Sequence, residues 1–202
     1  MVKTILFDFG NVVAFFDHRR AVARLARHTD LDPAELLLVL YGNQLETDYE
    51  YGRLSTAEYV RLGLRDGRLT CTEAEFLAAF VDIFTRNDEA CDLIPRLKPR
   101  YRLVLASNTN DAHYRKYTGQ FADVLRHFDA LCPSHQAGDR KPHPGYYEYC
   151  QRFAQAEPHE CLFVDDLASN VEAATRHGWR GVCYTHRGKL ADQLRAAGVQ
   201  FD

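Results

Sequence analysis

The sequence lacks long apolar runs. No stretch of its 202 residues approaches the roughly 18 consecutive apolar residues that a membrane-spanning helix needs. The first apolar stretch, residues 5–7, ends at a charged residue, Asp8, and is too short for the apolar region of a signal peptide. We therefore expect a protein without a membrane span and without a secretory leader.

Cysteine occurs only as six scattered residues, and no two of them form a C-x-x-C pair. The nine histidines likewise contain no His-x-x-x-His pattern and no cluster with cysteine, so the spacing of a zinc site is missing. We interpret the cysteines as reduced and mostly buried, which predicts a cytoplasmic protein.

Positive charge is not in excess. Lys and Arg number 25 against 28 Asp and Glu, a formal net charge of -3. Binding to nucleic acid needs a basic surplus that neutralises phosphates, so we expect no nucleic-acid partner. The hydrophobic fraction of 46% and the charged fraction of 26% are typical of a globular protein. At about 150 residues per domain, the length predicts one domain, or one domain with a sizeable insertion.

Short apolar runs alternate with helical patterns along most of the chain. Continuous apolarity, rather than an apolar–polar alternation, indicates strands that are buried on both faces of a parallel sheet. The predicted strands are residues 4–7, 102–106, 130–132, 161–164 and 181–184. The predicted crossover helices are residues 110–126, 144–155, 169–177 and 188–197. This order predicts an α/β fold with a doubly wound parallel sheet.

A long segment after the first strand breaks the alternation. Residues 18–90 contain helical patterns in series and no convincing strand, and three helix starts are marked by Asp32-Pro33, Ser55-x-x-Glu58 and Thr72-x-x-Glu75. We interpret this segment as an inserted all-helical cap. The predicted domains are an α/β core of residues 1–16 plus 91–202 and a cap of residues 17–90.

Charged and polar side chains follow the predicted strands. In an open parallel sheet the ligand crevice lies beyond the carboxyl ends of the strands. The residues there are Asp8, Ser107, Asn108, Lys141, Asp165 and Asp166. Each alone is also ordinary turn or cap chemistry. Together, three carboxylates repel one another unless a cation compensates them, and oxygen ligands at a half-open site favour Mg²⁺. A carboxylate nucleophile beside Mg²⁺ and a lysine is equipment for phosphoryl transfer.

These residues, taken in order, resemble the four motifs of the haloacid dehalogenase-like hydrolases. The first motif corresponds to residues 8–12, the second to Ser107 and Asn108, the third to Lys141 within residues 140–144, and the fourth to Asp165, Asp166 and Asn170. The helical insertion resembles the family's first type of cap. The Asp-x-Gly-Asn-Val start and a Glu50-x-Gly52-x-x-Ser55 segment are similar to the bacterial branch that includes sugar-phosphate phosphatases acting on glucose 1-phosphate.

The resemblance implies a role for each phosphoryl-handling residue. Asp8 would attack phosphorus and form an aspartyl phosphate. Ser107 and Asn108 would hold the oxygens of the transferring group, and Lys141 would neutralise the charge that the phosphate shares with Asp8. The substrate would be a small phosphorylated metabolite; the sequence does not indicate which one, nor the oligomeric state.

The resemblance also implies a Mg²⁺ site. Asp165 and Asp166 would bind or orient the metal, Asp8 and the backbone carbonyl of Gly10 would complete its protein ligands, and Asn170 would support the carboxylates from behind.

One position departs from the family pattern. Most phosphatases of the family carry a second aspartate two residues after the nucleophile, which protonates the leaving group and later activates water; this chain has Gly10 there. Loss of such a group costs about 10²- to 10⁴-fold in rate. Asp17 and His18 lie close enough along the chain to be replacements, although Asp17 would also serve as an ordinary helix cap.

Three other functions share some of these residues. A metal-free dehalogenase would also lack the second aspartate, but the added charge of Asp165 and Asp166 argues against it. A homologue that binds phosphate but catalyses weakly is consistent with Gly10, because glycine has no acid/base side chain. A signalling receiver uses similar groups, but there the acidic pair precedes the acceptor aspartate, and the long helical insertion does not fit.

Overall fold

The structure is a computed structural model that describes residues 1–185 and 189–202. The strands are β1 (Thr4–Phe7), β2 (Ala14–Phe16), β3 (Phe84–Arg86), β4 (Arg102–Ser107), β5 (Ala130–Pro133), β6 (Cys161–Asp165) and β7 (Arg180–Cys183). The helices are α1 (Arg19–Leu25), α2 (Pro33–Leu40), α3 (Gln44–Glu50), α4 (Thr56–Asp66), α5 (Glu73–Phe80), α6 (Asp88–Leu97), α7 (Asp111–Gln120), α8 (Ala122–Leu125), α9 (Ser134–Ala137), α10 (Pro144–Ala154), α11 (Ala168–Arg176) and α12 (Leu190–Ala196).

Five strands form one parallel sheet in the order β5-β4-β1-β6-β7. The strand β1 lies at its centre and is buried along its whole length, as its unbroken apolar sequence predicts. The α/β fold with a parallel sheet is therefore confirmed. All five predicted strands are present, and their limits differ from the prediction by at most one residue at either end.

Both faces of the sheet are covered by helices. Along β1, the side chains of Ile5 and Phe7 join a core on one face, and Leu6 joins a second core on the other. Helices α10 and α11 bury their apolar residues in the second core, whereas α6, α7 and α12 contribute to the first. The sheet is thus doubly wound, with the chain crossing from one face to the other.

The insertion after the first strand contains helices α1 to α5. The two predicted capping boxes are present at Ser55 and Thr72, and the predicted N-cap Asp32 also forms a capping box, with Glu35. The prediction that this insertion contains no strand is wrong. Strands β2 and β3 pair antiparallel where the chain leaves the core and returns to it, and each is only three residues long. Strands this short show no hydrophobic period that a sequence pattern could reveal.

The helices differ from the prediction in two further places. The predicted helix 110–126 is divided into α7 and α8 because Phe121 takes a non-helical backbone conformation. Helix α6 begins before residue 91, so it crosses the predicted boundary between cap and core. The predicted start of the last helix at residue 188 lies outside the described residues.

Two expectations from composition can be compared with the structure. The six cysteines are all free, and only Cys183 is partly exposed. Within residues 1–185 and 189–202, no helix has the length and apolarity that crossing a membrane would require. The predicted domain limits, residues 17–90 for the cap, stay a prediction.

Candidate active site

The carboxyl ends of the two central strands carry the centre of the site. Asp8 directly follows β1, and Asp165 ends β6, the neighbouring strand in the parallel register that pairs Phe7 with Val164. Lys141 reaches between them: its Nζ lies 2.7 Å from Asp8 Oδ1 and 2.7 Å from Asp165 Oδ2. Three residues far apart in sequence are therefore joined by one buried ammonium group.

Asp166 joins the same cluster. Carboxylate oxygens of Asp8, Asp165 and Asp166 all lie within 4.8 Å of one another, so one cation can contact all three residues. The group holds three carboxylates against the single ammonium of Lys141, which leaves negative charge uncompensated if all ionise. Burial raises the pKa of Asp8 to about 7; Lys141 opposes this shift, and the charge of Asp165 adds to it. Burial raises the pKa of Asp166 as well.

The two adjacent aspartates have different surroundings. Both oxygens of Asp165 are occupied: Oδ1 accepts from the backbone of Leu167 at 2.9 Å, Oδ2 accepts from Lys141, and Asn170 Nδ2 donates to both at 3.0 and 3.1 Å. Asp166 is partly exposed, and its Oδ2 accepts from Asn11 Nδ2 at 3.0 Å. Asp165 is thus locked in place, whereas Asp166 faces the open side.

Sequence reasoning assigned no role to Asn11. Its backbone has φ of 55°, in the left-handed region that asparagine tolerates better than most residues. That turn directs the amide toward Asp166. The signal that could have found it was its place in the first motif, between Gly10 and the buried Val12.

Lys141 is held by Asn108 at the end of β4. Asn108 Nδ2 donates to the Lys141 carbonyl at 2.9 Å, and the Lys141 N–H donates to Asn108 Oδ1 at 2.8 Å. Desolvation lowers the pKa of Lys141, but the charges of Asp165 and Asp8 raise it above its ordinary value, so the ammonium stays charged. An amide nitrogen carries two hydrogens, so Asn108 keeps one for a phosphoryl oxygen. Ser107, the last residue of β4, is buried beside it.

Two adjoining pockets surround these residues. The catalytic pocket contains the nucleophile and is lined by Asp8, Asn11, Arg140, Lys141, Asp166, Leu167 and Asn170. The aromatic pocket lies on the other side and is lined by Phe9, His18, Glu46, Ile83, Phe84, Ser107, Thr109, His113 and Tyr117. Four residues line both pockets and so mark their junction: Gly10, Phe16, Glu50 and Asn108.

The ring of Phe16 occupies the space beside Gly10. A Cβ atom built on this glycine would lie 2.9 Å from Cε1 of Phe16, closer than real side chains approach. Gly10 has no positive φ, so its backbone does not require glycine. The ring of Phe16, which comes from β2, takes the place where the family's second aspartate would begin.

Neither of the two replacement acids suggested by sequence proximity suits the role, because Asp17 lies outside both pockets and His18 is uncharged at neutral pH. Asp17 is exposed, accepts from the Arg19 N–H at 3.0 Å, and lines an outer groove with Leu38 rather than either pocket. His18 lines the aromatic pocket, but burial lowers its pKa to about 4, and its ring stacks on Tyr41 with centroids 3.8 Å apart. The geometry therefore argues against Asp17, and His18 is neutral at neutral pH.

Two residues near the nucleophile were not identified from sequence as site residues. Glu50 ends α3 in the insertion, and its Oε2 lies 3.2 Å from the guanidinium of Arg140, the neighbour of Lys141. The sequence indicates Glu50 only through the resemblance of residues 50–55 to a family segment, and Arg140 only as the residue before Lys141. Their pairing could not be found from sequence because 90 positions separate them.

A family model described as haloacid dehalogenase-like hydrolase matches residues 2–178. The sequence is 30% identical to D-ribitol-5-phosphate phosphatase of Bacteroides thetaiotaomicron over 186 residues, which cover 89% of this chain and 90% of that protein.

Solved structures show the same architecture. A predicted HAD-like family hydrolase from Porphyromonas gingivalis superposes with a TM-score of 0.83, at 26% identity, over 99% of this chain and 100% of the other. A variant of a HAD family enzyme from Bacteroides thetaiotaomicron, in complex with magnesium and inorganic phosphate, superposes with a TM-score of 0.85, at 20% identity, over 96% of this chain and 100% of the other.

Proposed function

The chain belongs to the haloacid dehalogenase-like hydrolase family, and we propose that it is a Mg²⁺-dependent phosphatase of a small phosphorylated metabolite that transfers the phosphoryl group to Asp8. One observation carries this proposal. Asp8 Oδ1 is fixed by the Phe9 N–H and by Lys141, each at 2.7 Å, whereas Oδ2 accepts no hydrogen bond from any described residue. Oδ2 is therefore the oxygen available for attack on phosphorus.

The donor set fits a hard cation. Asp8, Asp165, Asp166 and the Gly10 carbonyl would offer only oxygen ligands, as Mg²⁺ prefers, and the hydrogen bonds of Asp165 orient the cluster. When bound, Mg²⁺ supplies charge that compensates the carboxylates and polarises the phosphoryl group. The likeness to the magnesium- and phosphate-bound neighbour supports the same assignment.

The remaining site residues then have distinct tasks. Lys141 keeps its ammonium beside Asp8 and stabilises the charge that develops on the phosphoryl oxygens. Ser107 and the spare amide hydrogen of Asn108 bind those oxygens from the β4 side. Asn11 and Asn170 hold Asp166 and Asp165 in position, so that both carboxylates keep their direction while the substrate is bound.

We propose a phosphorylated sugar or sugar alcohol as the substrate class. The relative named D-ribitol-5-phosphate phosphatase is similar along nearly the whole chain. The aromatic pocket offers ring faces for carbon-bound hydrogens, and it offers polar groups such as Thr109 and Glu46 for hydroxyls. A substrate whose phosphate lies at Asp8 would extend its carbon chain into this pocket.

The test is a panel of phosphate esters, incubated with the purified protein with and without Mg²⁺ and scored by phosphate release, with 2-haloacids scored by halide release in parallel. We expect Mg²⁺-dependent phosphate release that is highest for open-chain polyol phosphates. Halide release that is insensitive to a chelator would instead support the dehalogenase function. Binding of phosphate without turnover of any ester would support the homologue with weak catalysis.

A further inference from the structure

The proposed phosphatase needs a proton donor that its first motif does not supply. A sugar or polyol leaves as an alkoxide, which is a poor leaving group unless it receives a proton as its bond to phosphorus breaks. Gly10 has no side chain, and the ring of Phe16 fills the space beside it. The donor must therefore reach the scissile oxygen from another element.

We propose that Glu50, carried by the inserted helix α3, is the general acid that protonates the leaving group and the general base that activates water; this rests on the proposed phosphatase function. Glu50 lines both the catalytic pocket and the aromatic pocket. The scissile oxygen joins the phosphoryl group in the catalytic pocket to the carbon chain in the aromatic pocket, so it lies at the junction of the two pockets. Among the four junction residues, Gly10, Phe16 and Asn108 have no titratable proton.

The position of Glu50 is fixed by contacts between the insertion and the core. The buried hydroxyl of Ser134, in α9, accepts from the Thr109 N–H at 2.9 Å, and its single hydrogen is shared between the carbonyls of Glu50 at 2.8 Å and Thr109 at 2.9 Å. Two residues further on, Gly52 has φ of +71° and approaches the His135 backbone so closely that a Cβ would lie 2.1 Å from its oxygen. These contacts tie the end of α3 to α9, and the pairing with Arg140 at 3.2 Å holds the Glu50 carboxyl beside the neighbour of Lys141.

The surroundings of Glu50 suit proton transfer. Its side chain is 14% exposed, and burial raises its pKa to about 7. Among the charged groups around it, Arg140 and Lys141 oppose that shift, and Glu46, one turn earlier on α3, adds to it. A group with this pKa holds a proton in an appreciable fraction of molecules at neutral pH and also loses it readily, which both halves of the reaction require.

The two steps balance. In the first, the bond between Asp8 Oδ2 and phosphorus forms, the bond between phosphorus and the leaving oxygen breaks, and the Glu50 proton moves to that oxygen to give the free alcohol. In the second, the Glu50 carboxylate takes a proton from water, the water oxygen attacks phosphorus, and the bond to Asp8 breaks. Asp8 returns to its carboxylate, Glu50 is again protonated, and inorganic phosphate leaves.

The test compares Glu50→Gln with the wild type on two substrates, an alkyl polyol phosphate and p-nitrophenyl phosphate. Gln has nearly the same shape as Glu but cannot exchange the proton. We expect kcat on the alkyl ester to fall by about 10²-fold or more. Nitrophenolate leaves the aryl ester without protonation, but hydrolysis of the phosphoryl group on Asp8 still needs the base. Glu50→Gln should therefore release about one nitrophenol per site in a rapid burst, followed by slow turnover.

A pH profile and two further variants separate catalysis from structure. In the wild type, kcat/KM for the alkyl ester should fall as pH rises through about 7, because the acid loses its proton, and Glu50→Gln should lack this descending limb. Glu50→Asp should recover part of the lost rate. Asp48→Asn is the matched control: it removes another carboxyl of α3, one that pairs with Arg53 and lines neither pocket, so any loss it causes should be equal for both esters, without a burst.

Two outcomes have different meanings. If the wild type hydrolyses phosphate esters but Glu50→Gln lowers kcat equally for both substrates, shows no burst and keeps the descending limb, Glu50 is a packing partner of Arg140 and the inference is wrong. The phosphatase function would stand in that case. If the wild type hydrolyses no phosphate ester, the proposed function fails, and the role of Glu50 fails with it.

Discussion

At the scale of single residues, the site depends on Lys141. Its ammonium contacts Asp8 and Asp165 at 2.7 Å, in a place where an unpaired charge of either sign would be costly. Asn108 holds the backbone of this lysine from β4. The nucleophile is therefore oriented by a residue from a different loop, and its second oxygen is left for the substrate.

Asp8→Asn tests the nucleophile. The amide has almost the same shape but does not attack phosphorus, so we expect kcat to fall by at least about 10⁴-fold, a loss typical of removing a nucleophile. The thermal unfolding temperature should not fall appreciably, because the substitution also removes one of three neighbouring carboxylates. Phosphate release and thermal unfolding measure the two effects. Near-normal turnover in this variant would remove Asp8 from its role.

Restoring an aspartate at position 10 tests the part played by Phe16. In the Glu50→Gln background, we expect Gly10→Asp to recover kcat on the alkyl ester by about tenfold or more only when Phe16→Ala removes the ring, because the new Cβ would otherwise lie 2.9 Å from it. The matched control is Glu50→Gln with Phe16→Ala alone. An equal recovery with the ring present would show that Phe16 is not the obstacle.

At the scale of elements, activity depends on how the end of α3 meets α9. Gly52→Ala combines left-handed backbone strain with a Cβ that would lie 2.1 Å from the His135 oxygen. We expect it to push Glu50 away from the junction and to lower kcat on the alkyl ester by about tenfold or more. Steady-state kinetics on both esters would measure the loss.

Gly42 provides the control for that substitution. Its φ is +70°, but a Cβ there meets nothing within 4 Å. Gly42→Ala should therefore cost about 1 kcal/mol of stability, from the backbone alone, and leave kcat nearly unchanged. Equal kinetic losses in the two variants would indicate that strain, and not the contact with α9, is responsible.

The sheet was predictable from sequence because its strands are short, apolar and followed by functional side chains. The strand ends in the sequence alone place Asp8, Ser107, Lys141 and Asp165 at one edge of the sheet. The pairing of β2 with β3 was not predictable, since three-residue strands carry no period. Glu50 and Arg140 could not be paired either, because their contact depends on how the insertion packs on the core.

At the scale of the whole molecule, metal binding should be coupled to stability. The residues proposed to hold Mg²⁺ come from both ends of the chain, after β1 and after β6, and meet only in the folded state. A metal present at about 100 times its Kd then stabilises the fold by about 2.7 kcal/mol. For a chain of this size that corresponds to a rise of roughly 5–10 °C in Tm.

Asp166→Ala is the variant for that measurement. Among the carboxylates of the cluster, Asp166 has the most open surroundings, so its loss should weaken Mg²⁺ binding more than it disturbs the fold. We expect scanning calorimetry to show little Mg²⁺-dependent rise in Tm for this variant, and a slightly higher metal-free Tm because a like charge is gone. The same Mg²⁺ response as in the wild type would contradict the proposed ligand set.

The covalent phosphoryl group on Asp8 is the central claim, and rapid acid quenching tests it most directly. The protein with Mg²⁺ is mixed with a polyol phosphate that it hydrolyses, quenched within milliseconds and digested, and the peptide that contains Asp8 is examined by mass spectrometry. The account predicts one added phosphoryl group on Asp8, which is absent from Asp8→Asn and which accumulates in Glu50→Gln when p-nitrophenyl phosphate is the substrate. Phosphate release with no modified Asp8 at any quench time, in the wild type and in Glu50→Gln alike, would contradict it.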